Sequence, residues 1–429
     1  MIKITSLLTT VAIFVVASIA FAAPQPQNLP NGIPLVTDSV QMAPYVSMTI
    51  LIKAGAADET AETAGWRQLL ASAMMRATTN GKDVLEGPQL TKAAEAAGGQ
   101  IGAQVLDDAI AFTAAGDSAT QQELANLLLN VVLHPRLSEA DFAAARRGML
   151  QNLNAADRND VPDHSRATEA LQALLYRDAK SKLPIAYGLP PAGTVDSLTA
   201  LTDDSLHSLY QKYFSSDSMV VSFSGDADDT GLRAVFSQVP KGASIAMQQM
   251  DYAKLTPTPA QSIQMNTPAP WTLVGFRIDS HINNTNHDLV TLRVLTAALA
   301  ETAPSLLSQK LLDPQGKNQE ALADQVSGQL SIRKDGSELL LAVQSDAAHL
   351  VASKAAVLQV ITDLKTKPLT ATQLQAAITY AEGDWATTRD SSTIRAVLAG
   401  YAKVQGIFPD SEWPTQLKSV TAADVQNAA

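Results

Sequence analysis

The chain has 429 residues, 46% of them hydrophobic and 17% charged, so it can bury a sizeable core and general disorder is excluded. A formal net charge of −11 leaves no basic stripe to neutralise phosphates and argues against a nucleic-acid partner. The absence of cysteine excludes disulfides and thiolate metal sites.

The N-terminus reads as a signal peptide over residues 1–22. Lys3 supplies a positive start, an apolar run of about 16 residues follows, and Ala20-Phe21-Ala22 fits the small-x-small cleavage rule, with Pro24 just beyond. The competing reading is a membrane anchor, but a span needs about 20 apolar residues. After signal removal no membrane span is expected. An exported chain without disulfides suits a bacterial periplasm.

Beyond it, PYVSMTILIKAGAAD at 44–58 alternates apolar residues as a strand does. A helix follows from Gly65, with Trp66, Leu69, Leu70, Ala73 and Met74 on one apolar stripe and Gln68, Ala71, Ser72 and Met75 on the opposite face. Met74-Met75 reads as core filling and Gly98-Gly99 as turn chemistry. HPRLSEADFAAARRGML at 134–150 reads as a turn, a Ser N-cap and a long helix. Its Arg146-Arg147 pair is expected on a solvated face. SLTALTDDSLHSLYQKYF at 197–214 is helical, and MVVSFSGD at 219–226 is a buried strand.

Residues 241–268 read as a linker, rich in proline (Pro257, Pro259, Pro268) and poor in apolar periodicity. After it the pattern repeats. PWTLVGFRIDS at 270–280 answers the first strand, the helix from Asp288 answers the one from Gly65, TKPLTATQLQAAITYAEGDW at 366–385 answers 134–150, and LKSVTAADVQNAA at 417–429 answers 197–214. All four offsets fall between 219 and 232 residues. The expected organisation is therefore an α+β chain with two homologous domains, 23–240 and 269–429, each a mainly antiparallel sheet packed with helices. The second domain is expected to lack the strand corresponding to 219–226.

Isolated site signals are few. The six histidines (His134, His164, His207, His281, His287 and His349) form neither H-x-x-x-H nor H-x-x-E-H. His281 and His287 bracket a polar stretch expected as a hairpin loop rather than a metal site. DRNDVPDH at 157–164 has carboxylates but lacks an EF-hand's glycine and terminal glutamate, so a connector is expected. No G-x-S-x-G elbow and no phosphate loop occurs.

LPNGIPLVTDS, VSMTILIKAGAADE, TAGWRQLLASAMMRATTNG, LTKAAEAAGGQIGAQVLDDAIAFTA and SFSGDAD together resemble the N-terminal signature of the pitrilysin/insulinase/mitochondrial-processing-peptidase family, and the resemblance extends over residues 29–429. It implies that the whole chain forms one half of a clamshell. Active members carry an inverted H-x-x-E-H zinc motif on the helix that follows the first strand, plus a downstream glutamate ligand. Aligned on GW…LL…M, Gln68 and Ser72 stand where the histidines belong and Ala71 where the catalytic glutamate belongs. In the ligand helix, Ala145 and Asn152 match the two glutamates. Neutral amides and a hydroxyl are poor zinc ligands and alanine is no base, so the zinc cofactor is expected to be lost.

Some assemblies of this family divide labour, a zinc-free subunit keeping an arginine and a tyrosine that bind substrate backbone. Leu312 and Asp324 stand about there in this chain, so that pair is expected to be absent too. The resemblance implies a non-catalytic subunit pairing with a zinc-bearing homologue in peptide processing or degradation. The alternative is a stand-alone peptide-binding or chaperone-like clamshell, as a homodimer, that holds peptides or unfolded exported chains without cutting them.

Overall fold

A computed structural model describes residues 25–39, 44–79, 83–156, 164–242, 250–255, 260–263, 269–278, 286–313 and 320–429. The expected signal peptide, most of DRNDVPDH and His281 lie outside these residues.

The first half opens with strands β1 (Gln25–Asn28), β2 (Pro34–Ser39) and β3 (Tyr45–Ile52), then helix α1 (Trp66–Met74). A short ribbon of β4 (Ala77–Thr79) and β5 (Val84–Glu86) leads into α2 (Gly87–Ala96). The hairpin β6 (Gly99–Val105) and β7 (Ile110–Asp117) follows, then α3 (Gln121–Leu133), α4 (Glu139–Ala156), α5 (Ser165–Leu175), α6 (Val195–Ala200), α7 (Asp203–Tyr213), β8 (Met219–Gly225) and α8 (Asp229–Phe236). Six strands form one sheet in the order β1-β2-β8-β3-β7-β6, antiparallel except where β2 runs parallel to β8.

The second half repeats this plan with β9 (Trp271–Ile278), α9 (Asn286–Thr296), α10 (Leu306–Leu311), β10 (Gln325–Ser331), β11 (Ser337–Gln344), α11 (Leu350–Thr366), α12 (Ala371–Thr388), α13 (Ser392–Gln405), α14 (Trp413–Lys418) and α15 (Ala422–Ala428). Its sheet has the order β10-β11-β9, all antiparallel. These strands correspond to β6, β7 and β3, and among the described residues no strand stands where β8 stands in the first sheet. The stretch 287–311 is long and apolar enough to cross a membrane, yet most of it is buried in the second-half core.

Serine and threonine side chains cap several of the helices. Thr202, Thr370 and Thr421 each accept a hydrogen bond from the third helical N–H, satisfying a donor the helix cannot pair internally. Ser138 and Asp141 do the same work reciprocally ahead of α4. Gly98 takes φ +66° in the turn into β6, and a Cβ on Gly99 would sit 2.5 Å from the Ala115 carbonyl, so both glycines are needed there. Most of the loop expected between His281 and His287 lies outside the described residues; His287 itself stands in the first turn of α9, its Nε2 3.1 Å from Asp424 Oδ2.

Strand β3 is buried on both faces, which alternation alone does not foretell. Val46, Met48, Ile50 and Ile52 enter the first-half core with α1, α3 and α4. Ser47, Thr49 and Leu51 point the other way, where α13 of the second half lies across β3, β8 and β2. A Cβ on Gly400 would approach Ser222 Oγ to 2.6 Å, so the bare glycine sets how closely the helix docks. Arg395 of α13 holds Asp38 of β2 through two 2.7 Å bonds. The exchange is reciprocal: α5 of the first half covers β9, where Gly275 leaves room for Leu171 and Leu175. Each half therefore supplies the helix that closes the other's sheet.

Candidate functional site

Helix α1 starts at Gly65, whose φ of +85° and whose missing Cβ, which would lie 2.8 Å from Gly193 backbone, let the chain turn sharply against the 190–193 loop. Trp66, Leu69, Leu70, Ala73 and Met74 are fully buried, as the stripe predicts. Trp66 stacks on Tyr213 with ring centroids 5.2 Å apart. Met75 is half-buried and packs on the same core.

Helix α1 packs against α4. Ala71 is 2% exposed and enters the first-half core together with Ala145 of α4. Gln68 and Ser72 are half-buried beside it, and Asn152, about two turns further along α4, is exposed. Two small side chains allow this close crossing. Among the described residues no group of three or more His, Cys, Asp or Glu side chains is placed to hold a metal ion.

Arg146 departs from expectation. Arg147 is exposed as expected, but Arg146 folds back and donates to the carbonyls of Leu198 (3.0 Å) and Leu201 (2.7 Å), with Asp203 at 3.5 Å. It caps the C-terminal end of α6, where unpaired carbonyls attract a cation. Leu312 forms the C-cap of α10 and packs against the second-half core, while Asp324 is exposed and its N–H donates to Gln344 at the mouth of the β10–β11 hairpin. The structure does not bring these two together with the α1–α4 crossing around a common cavity.

A cavity of about 240 Å³ does lie between the halves, and none of the residues singled out in the sequence lines it. Arg67 enters it from α1 and Asp107 from the β6–β7 turn; Gln172 comes from α5, and Arg333 and Glu338 from the second half. Arg67 is 2% exposed and lies 3.2 Å from the buried Glu59. Its Nη1 donates to the Leu106 carbonyl at 2.6 Å, whereas Nε, near Glu59 but off the hydrogen-bond line, has no hydrogen-bond partner. Burial pushes the Glu59 carboxyl above its ordinary pKa, and the Arg67 charge offsets only part of this.

Arg333 binds Asp107 through Nε and Glu338 through Nη1, both at 2.6 Å, and its Nη1 also donates to Tyr176 Oη at 2.8 Å. Its guanidinium lies 5.1 Å and 4.9 Å from the ring centres of Tyr176 and Tyr187. Burial alone would lower its pKa, but Asp107 and Glu338 more than compensate and hold it charged. Beside it Asp108 accepts from Tyr187, Tyr401 and Gln405, so residues from both halves meet on two consecutive aspartates. The sequence carried one signal for these groups: Arg67 is the single charge in the otherwise largely apolar run from Ala64 to Met75.

The duplicated sheet-and-helix plan with exchanged helices defines a two-domain α+β fold. Residues 35–188 match the family model described as Insulinase (Peptidase family M16), and residues 200–380 match Peptidase M16 inactive domain. The chain belongs to this insulinase-type M16 peptidase family. An uncharacterized zinc protease of Mycobacterium leprae is 25% identical over 343 residues, which is 79% of this chain and 72% of the relative. Another, of Mycobacterium bovis, is 26% identical over 216 residues, half of this chain and 46% of that protein. Among solved structures, a protease from Helicobacter pylori superposes with a TM-score of 0.80 at 17% identity over 95% of this chain and 96% of that one. The peptidase M16 inactive domain from Pseudomonas fluorescens gives 0.79 at 17% identity, over 94% of each chain. At that identity the likeness concerns the fold.

Proposed function

We propose that this chain is a non-catalytic M16 subunit that pairs with a zinc-bearing homologue in peptide processing or degradation. The observation that carries the reading is the donor set at the α1–α4 crossing. Gln68, Ala71 and Ser72 on α1, with Ala145 and Asn152 on α4, offer one hydroxyl, two amides and two methyl groups. A hydrolytic zinc needs imidazole or carboxylate ligands and a base for its water. These residues do not fit it. Ala71 and Ala145, on two helices that pack together, are both buried in the first-half core, where a lone carboxylate would be costly. The second half's match to a domain described as inactive agrees with a supporting role.

The test is metal content and cleavage. Purified chain incubated with zinc and desalted should hold far less than one equivalent and leave fluorogenic peptides intact, while raising the peptide hydrolysis of a zinc-bearing homologue when the two are mixed. Stoichiometric zinc, or cleavage that a chelator abolishes, would overturn the reading.

One observation favours the alternative of a stand-alone peptide binder. Among the described residues strand β6 is the free edge of the first sheet; it packs beside α1, and its residues are half-buried or exposed with none fully buried. Such an edge offers main-chain hydrogen bonds to an extended peptide without any metal. Peptide binding by the isolated chain, measured by fluorescence anisotropy without any homologue present, distinguishes the two.

A further inference from the structure

The cavity between the halves is remote in role from the α1–α4 crossing, and its chemistry is distinct. From it we infer that the chain binds a small zwitterion carrying an α-carboxylate, a free amino acid or a dipeptide, held between Arg67 of the first half and Arg333 and Glu338 of the second. The inference stands independently of the pairing proposed above.

Hydrogen-bonding capacity at the cavity is left unspent by the protein. A guanidinium nitrogen without a protein partner is available to a ligand. Arg67 donates from Nη1 to the Leu106 and Asp107 carbonyls and sets its Nε 3.2 Å from the Glu59 carboxylate. Arg333 spends Nε and Nη1. No hydrogen bond among the described residues uses the Nη2 of either. Both arginines touch Asp107, Arg67 through its carbonyl and Arg333 through its carboxylate, so the two guanidiniums face one small space. A carboxylate is the planar acceptor that such groups bind best.

The counter-charges decide against a simple anion. Glu338, 2% exposed, takes its bonds from Arg333 and from Gln172 on the single oxygen Oε2. Its Oε1 faces the same space without a donor among the described residues. With Glu59, Asp107 and Glu338 set against two arginines, a dianion such as phosphate would meet repulsion, whereas an ammonium beside Glu338 completes the set. The size agrees. About 240 Å³ lies below the ~300 Å³ at which drug-sized sites begin, and it is roughly the space of eight waters at about 30 Å³ each. Exposed Gln329 and Pro191 on the lining give the cavity an opening to solvent.

Isothermal titration of the purified chain with free amino acids, dipeptides, their C-terminal amides and their N-acetyl derivatives tests this and separates the two sources. Binding of at least one zwitterion is expected, weakened tenfold or more by either blocking group. Ser331→Phe, which fills the cavity from β10 without touching a charge, should abolish it, and Arg67→Met should weaken it at least tenfold. The Ser331 variant decides the matter if Arg67→Met does not fold. No heat with any zwitterion, equal binding of blocked and free forms, or undiminished binding by a folded Ser331→Phe chain overturns the inference.

Discussion

Replacing Arg333 by methionine should destabilise the join between the halves by about 3–5 kcal/mol, the usual cost of orphaning one member of a buried ion pair. Glu338 sets the size of the effect. Its side chain is 2% exposed and Arg333 is 5% exposed, so after the substitution a carboxylate stays buried with only Gln172 to bond it. Asp107 contributes little, because at 39% exposure water takes over its solvation, and exposed pairs are worth about 0–1 kcal/mol. The Tyr176 and Tyr187 rings lose a cation as well, a further effect of at most about 2 kcal/mol that is not additive with the first.

The double substitution Arg333→Met with Glu338→Met then separates the causes. If the single variant suffers from the stranded carboxylate, removing that carboxylate should recover most of the loss, since an apolar replacement of a whole buried pair is often neutral. Differential scanning calorimetry of the three proteins provides the assay. A drop of the order of 10 °C for the single variant and recovery of more than half of it in the double variant is expected. A single variant within about 1 kcal/mol of the parent, or a double variant no better than the single, would refute the account of Arg333 as the charge that keeps Glu338 buried.

Gly400→Leu should push α13 off the first sheet, costing about 1–3 kcal/mol and breaking the 2.6 Å bond from Ser222 to the Ala396 carbonyl; faster hydrogen exchange in β3 and β8 is the check. Asp141 is held at about 2, below its ordinary 3.8, chiefly by hydrogen bonds from Arg136, with Ser138 adding to them and burial opposing. A carboxyl depressed in the folded state stabilises above its unfolded pKa, so this contribution is full above about pH 4 and fades as pH falls toward 2. Asp141→Asn should flatten that acid limb of a Tm–pH profile and leave its shape above pH 5 unchanged. Finally, Gln68→His, Ala71→Glu, Ser72→His and Asn152→Glu together should confer about one equivalent of bound zinc, read by elemental analysis, while Ala71→Glu alone confers none and lowers Tm because it buries a lone carboxylate.

Local structure was legible because it depends on neighbours in sequence. The Ser138 cap, the α1 stripe and the buried strand at 219–225 all follow from spacing and side-chain chemistry within a few residues. What escaped the sequence depends on distant partners. Ser47, Thr49 and Leu51 look like a mixed strand face until α13, some 345 residues later, is laid upon them. Arg146 reads as a surface charge because the sequence does not reveal that the end of α6 lies beneath it. Helical periodicity likewise gives α1 two faces, but only the surroundings of the helix decide that Ala71 is buried. Tyr252 lies in a stretch that reads as linker, yet it packs on Tyr176 at 5.4 Å and closes the cluster around Arg333.

The proposed loss of the metal site also makes physical sense as a single event. The five stripe residues of α1 hold the helix to its core, and none is among the positions matched to the zinc motif. Fold and metal binding are thus carried by different faces of one helix, so the second can change without unfolding the first. Once an ion is gone, a glutamate at position 71 or 145 becomes a buried charge without a partner, at a cost of several kcal/mol unless it is neutralised. Alanine at both positions removes that cost and lets α1 and α4 meet closely. A chain that kept one of the two carboxylates without the histidines would be the unstable intermediate. On this view the stability of Ala71→Glu should recover when zinc is bound by the full four-residue variant, but stay low when the histidines are absent and zinc is supplied. Equal recovery in both would mean that the carboxylate finds its own partner at the crossing, and that the methyl groups there are not the consequence of a missing metal.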